Sequence, residues 1–247
     1  MVLSYEPSPS LEIELMASIF ESKDQEDFAN RVSQVVKKCG FESYMIALQL
    51  KGVNGRAVLY LTTSYPDEWM RIYSERQYAL TDPAVRHCLI DTNPLVWRDD
   101  VFAGASAQEL FQEAQCFGVS HGISVAVHES TGRKSMLSLV RDQSFENDPR
   151  ELARMVAFSR ILSSCIHVVA NRLVVPLIES KNLPKLSKQE TECLQWVAEG
   201  KTSWEVGQIM NIAEPTVVFH LKNVMKKLGV VNRHQALAVA MRMGIVD

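Results

Sequence analysis

Apolar side chains recur along the chain with two alternating periods, and the switches between them mark its elements. After a start from Met1 to Ser10 that reads as loose, Leu11 to Phe20 and Asp24 to Cys39 carry helical patterning. In the second, Phe28, Val32, Val35, Val36 and Cys39 share one face, and Gly40 supplies the stop. Residues 41–50 and 56–63 are strand candidates around Asn54-Gly55, a hairpin signal. Pro66 opens a helix carrying Trp69, Ile72 and Tyr73, and Pro83 opens another directly after Asp82. Residues 93–96 read as a strand before Trp97, and Ser106 with Glu109 predicts a capped helix ending at Gly118. Another strand pair, 122–128 and 134–141, flanks Thr131-Gly132. Asp148, Pro149 and Glu151 begin a long helix towards Leu173, whose apolar positions exceed one narrow stripe, as suits a helix that covers a sheet and also meets a partner. Helices around antiparallel strands predict an α+β fold, here an N-terminal α/β/α sandwich with a central antiparallel sheet.

Pro176 and Pro184 then interrupt the pattern, so residues 176–185 are the expected linker between domains at 1–175 and 186–247. In the last stretch Ser187, Thr202 and Asn232 are each followed three positions later by Glu190, Glu205 and Gln235, the spacing of a capping box. A further helix opens near Pro215, giving a small all-α domain of four helices. On that helix Val217, Leu221, Val224, Met225 and Leu228 share one face. The other face carries Thr216, Val218, Phe219, Lys222, Asn223 and Lys226, and an exposed Phe beside Lys and Asn is unusual for a merely solvated surface. Two short helices joined by a tight turn, the second with a cationic outer face, read as a helix-turn-helix that enters a DNA major groove. A helical bundle with a lysine-rich surface has the same spacing.

Composition narrows the picture without deciding it. A length of 247 residues suits two domains. The net charge of −3 excludes a polybasic coater of nucleic acid, although the segment from Pro184 onward is positive by about 2. Cys39, Cys88, Cys116, Cys165 and Cys193 are scattered and odd in number, which argues for packed thiols in a reducing cytoplasm and against a disulfide frame or zinc site. No run reads as membrane-spanning, and the acidic, proline-broken start lacks the features of a secretory signal. Tyr65, Trp69 and Tyr73 follow at intervals of four, so three aromatics with polar tips can face one space, with ordinary core packing as the alternative. Asp82 by its position reads equally as a helix cap.

The run from Leu186 to Val246 resembles the DNA-binding domain of LuxR-type transcription regulators through Glu190, Leu194, Gly200, Lys201, Thr202, Thr216, Val217, His220, Lys227 and Leu228. Ala213 departs from the usual Ser cap, at an expected cost of about 1 kcal/mol, and Val218 stands where Asn or Lys is frequent. The order Tyr65, Trp69, Tyr73, Asp82, Pro83, Trp97, Gly118, with Ser138 in its MLSLVR context, is similar to the acyl-homoserine-lactone receptor domain of LuxR-type quorum-sensing regulators. Ala126 replaces a common proline, so a local change in that strand is expected.

The resemblance implies a regulator without a cofactor that binds a signal lactone and, as a homodimer, a palindromic operator, with RNA polymerase as a further partner. Carried over, Trp69 donates to the lactone carbonyl, Asp82 accepts from the amide N–H, and Tyr65 and Ser138 bond the acyl carbonyl. Tyr73 and Trp97 wall the pocket, with Val85 and Leu110 as further lining. A buried carboxylate needs more than one donor, so Asp82 should also accept from hydroxyl or backbone groups nearby. On the DNA side Thr216, Val218, Phe219 and Lys222 are candidates near bases, Lys201, Thr202 and Lys226 near phosphates, and Asn223 is a further DNA-binding candidate. A phosphorylation receiver would need clustered acids at strand ends, which Asp24, Glu26, Asp27 and Glu42 do not form. A lactone hydrolase built on His121, His128 or Asp142 lacks a nucleophile elbow and metal-ligand spacing, so an enzyme is not expected. A regulator responding to another small molecule is the nearest alternative.

Overall fold

The computed structural model describes residues 9–51, 57–145, 148–182, 185–242 and 245–246; Asn54-Gly55 and most of the expected loose start lie outside them. The chain forms two compact units whose main division falls between Val175 and Pro176.

In the N-terminal unit, helices α1 (Pro9–Phe20) and α2 (Gln25–Lys38) precede strands β1 (Ser43–Lys51) and β2 (Ala57–Thr63). Asp24 caps α2 by accepting from the Asp27 N–H, and Phe28, Val32, Val35 and Val36 are buried as their spacing requires. Next come α3 (Asp67–Glu75), a 3-10 turn (Tyr78–Leu80), α4 (Pro83–Ile90), β3 (Leu95–Val96), α5 (Ala105–Gln115), β4 (His121–His128), β5 (Lys134–Arg141) and α6 (Pro149–Leu173). The sheet order is β2-β1-β5-β4-β3, with β1/β5, β5/β4 and β4/β3 antiparallel. Helix α6 packs on β4 and β5 and against α1 and α2. On the other face, Met45, Trp69, Tyr78, Trp97, Leu110, Met136 and Val140 form one apolar cluster. The α+β sandwich therefore follows from period-two strands buried on both faces.

Several local expectations change. Helix α5 is capped by Gly104 without a side-chain bond, not by Ser106; Glu109 is instead drawn 2.7 Å from Arg76. Helix α6 begins as expected, with Asp148 as its cap and Pro149 and Glu151 in its first turn, where Glu151 pairs with Arg141 at 2.7 Å. Strand β4 runs through Ala126 in unbroken register with Met136, because alanine keeps the N–H that proline lacks. Helix α6 is long and apolar enough by composition to cross a bilayer, contrary to the sequence reading; Met155, Phe158, Leu162, Ile166 and Val169 bury one side of it in the core. The segment expected as linker is helical, α7 (Val175–Asn182), since Pro176 lies in a first turn, where its missing N–H costs nothing.

The C-terminal unit contains α8 (Lys188–Ala198), α9 (Ser203–Met210), α10 (Glu214–Leu228) and α11 (Arg233–Arg242). Complete capping boxes stand at Ser187 and Thr202. The third pair is incomplete: Gln235 reaches the Val231 N–H at 3.1 Å rather than that of Asn232. Val217, Leu221, Val224 and Leu228 join Leu194, Val197, Val206 and Ala240 in one core. Between α9 and α10, Asn211 takes a left-handed backbone (φ 52°). A β-carbon at Gly207 would come within 2.8 Å of the Ile212 carbonyl, so this tight turn needs glycine there.

Candidate functional site

Pro66 starts α3 so that Trp69 and Tyr73 lie one turn apart on its inner side, with Tyr65 just before it. The Trp69 ring sits 5.8 Å from Tyr73 and Phe117 and 6.0 Å from Tyr78. These rings close one side of a small pocket lined also by Met45, Asp82, Trp97, Phe102, Leu110 and Phe111. Its mostly apolar lining with a few polar groups suits a small molecule with a few directed polar contacts.

Asp82 combines two tasks that spacing alone left as alternatives. One carboxylate oxygen caps α4 by accepting from the Ala84 N–H at 2.8 Å, and the other accepts from the Tyr73 hydroxyl at 2.8 Å. Burial raises its carboxyl above the usual range, and the bonds from Tyr73, Ala84 and Val85 only partly oppose this. The Tyr65 hydroxyl is buried with no hydrogen-bond partner among the described residues. Burial pushes that phenol far above its ordinary value, so it is a fixed donor.

Behind the rings, Trp97 lies against Gly122, where a β-carbon would stand 2.6 Å from the indole. Its indole N–H donates to Ser124 Oγ at 2.9 Å, and Ser124 Oγ lies 2.8 Å from Ser138 Oγ. Ser124 and Ser138 are register partners across β4 and β5, and Ser138 faces Met45 on β1.

Tyr65, Trp69, Tyr73, Asp82, Trp97 and Leu110 thus line one chamber. Val85 does not line it. It belongs to a second pocket, lined with Ala47, Leu59, Leu61, Leu89 and Met136, and sharing Met45 and Tyr73 with the first. Ser138 lines neither chamber and is fully buried beside them. Met45, Phe102, Phe111 and Ser124 escaped the sequence reading because each comes from a separate element. Strand alternation at Ser124 and Ser138 was the available signal.

In the C-terminal unit, Lys222 and Lys226 are exposed beside Val218 and Phe219 on α10, while Thr216 and Asn223 are half-buried. The Thr202 hydroxyl bonds Glu205 within its own cap at 2.8 Å. Trp204, on the first turn of α9 and 59% exposed, was not singled out from sequence. Lys227 is 2.6 Å from the buried Glu190 and 3.1 Å from the Lys185 carbonyl. Burial alone would raise the Glu190 carboxyl, but the bonds from Lys227 and the Ser187 N–H outweigh it and hold it below its usual value.

Residues 24–169 match the autoinducer binding domain family, and residues 184–240 match the luxR family of bacterial regulatory proteins. The transcriptional activator protein AnoR of Acinetobacter nosocomialis is 29% identical over 94% of this chain and 98% of its own length. The transcriptional activator protein AhyR of Aeromonas hydrophila is 30% identical over 90% of this chain and 87% of its own. The crystal structure of Escherichia coli SdiA superposes with a TM-score of 0.63 and 26% identity, over 96% of this chain and 98% of that one. The chain belongs to the LuxR family of transcription regulators, an autoinducer-binding domain followed by a LuxR-type DNA-binding domain.

Proposed function

We propose that the autoinducer is an N-acyl-homoserine lactone and that its binding controls transcription in quorum sensing. The observation that carries this is the Tyr65 hydroxyl, which has no hydrogen-bond partner among the described residues and is buried at the same apolar pocket as Trp69 and the Asp82 carboxylate. A ligand there must offer an acceptor to one end of the site and a donor to the other, as an amide beside a lactone does. Trp69 then holds the lactone carbonyl, Asp82 the amide N–H, and Tyr65 with Ser138 the acyl carbonyl. The acyl tail passes Met45 and Tyr73 into the second chamber, where each methylene removed from water adds up to about 0.8 kcal/mol.

The receptor domain at residues 1–175 joins two copies of the chain in the cytoplasm, and residues 186–247, beyond a linker at 176–185, place two copies of α10 in half-sites about one DNA turn apart. Thr216, Val218, Phe219 and Lys222 lie near bases, Lys201, Thr202 and Lys226 near phosphates, and Asn223 beside them on the DNA. Since AnoR and AhyR are described as activators, recruitment of RNA polymerase is the proposed output. The test is melting temperature against a panel of acyl-homoserine lactones differing in tail length. A rise for one tail class that Tyr65→Phe and Trp69→Phe reduce supports the assignment; no rise with any lactone refutes it.

A further inference from the structure

The bond between Trp97 and Ser124 has a direction that the chemistry of its partners dictates. An indole N–H only donates, so Ser124 Oγ must accept from Trp97. Ser124 is fully buried, and among the described residues its hydroxyl has one other side-chain partner, Ser138. Between the two serines either oxygen can donate, and either way one buried hydroxyl proton is left without an acceptor among the described residues. An acceptor beside Ser138 removes that cost, because the Ser124 proton then goes to Ser138 and the Ser138 proton to the acceptor. Ser138 is itself fully buried, and in that arrangement its own proton is left for a partner on the face of the sheet that carries both chambers. A chain of bonds running one way also polarises each member, so the last donor is the stronger for it.

We propose that Trp97 and Ser124 are positioning residues that present the Ser138 hydroxyl as a donor, so that the site demands a hydrogen-bond acceptor, a carbonyl oxygen, at that point of the ligand. Gly122 belongs to the device because it leaves room for the indole to lie where its N–H meets Ser124. This rests on the lactone reading above, in which Ser138 meets the acyl carbonyl. Trp97 also walls the chamber, so a loss on replacing it would by itself prove nothing about the relay.

A double-mutant cycle separates the two roles. The affinity of the full chain for N-octanoyl- and N-dodecanoyl-homoserine lactone is taken from the ligand-dependent rise in melting temperature, in wild type, Trp97→Phe, Ser138→Ala and the double variant. Each single change is expected to weaken binding about threefold to tenfold, and the double variant is expected to lose clearly less than the product of the two. Ser124→Ala paired with Ser138→Ala gives an independent cycle with the same expectation, should the indole be needed for folding. Losses that multiply in both cycles would overturn the relay while leaving the lactone reading intact; a wild type indifferent to every lactone would sink that reading instead.

Discussion

At the scale of single residues, the site is governed by what burial does to a few polar groups. Asp82 illustrates it: its folded-state carboxyl is raised, so the native domain holds this proton more tightly than the unfolded chain does. The resulting contribution favours the fold below about pH 3.9, the value of a free aspartate, and is lost as pH rises through the raised folded value. Asp82→Asn should remove that pH-dependent component from urea midpoints of the unliganded protein, while weakening lactone binding; midpoints that track wild type at every pH would contradict it. Gly122 is governed by space alone. Gly122→Ala would drive a methyl into the Trp97 ring at 2.6 Å, a strain of about 1–3 kcal/mol, and should lower both melting temperature and lactone affinity.

At the scale of elements, helix ends decide more than helix middles. Helix α10 begins at Ala213 with no side-chain cap, so Ala213→Ser should stabilise the C-terminal unit by about 1 kcal/mol. An unchanged or lower melting temperature would show that the turn geometry forbids the cap. Lys227 sits on the same helix, yet its ammonium is committed to Glu190 and the Lys185 carbonyl. Lys227→Met should therefore destabilise the unit by about 1–3 kcal/mol through the stranded carboxylate, with little change in the salt dependence of DNA binding. Lys222→Ala, whose side chain is exposed on the outer face, should lower the slope of log affinity against log salt by about one. The opposite pattern would reassign the two lysines. Helix periods, strand alternation and capping boxes were legible at this scale because each is local. Ser106 misled because the helix begins one residue earlier, at Ala105 behind Gly104, and Glu109 turns to Arg76.

At the scale of the whole molecule, ligand binding and folding share one equilibrium. A lactone that fills an internal chamber stabilises its domain by about 2.7 kcal/mol at a hundredfold excess over Kd, enough to move the melting temperature by several degrees. The sequence by itself determined the order of elements, the helix-turn-helix and the aromatic triplet at the start of α3 and just before it, because these depend on periods of two to four residues and on caps that a neighbour in the chain supplies. Only the tertiary structure decided that Asp82 both caps α4 and receives Tyr73, that Val85 faces a different chamber from Trp69, and that Trp97 reaches Ser138 through Ser124. Those relations join residues from separate elements, and the register of the sheet, not spacing along the chain, sets which side chains meet.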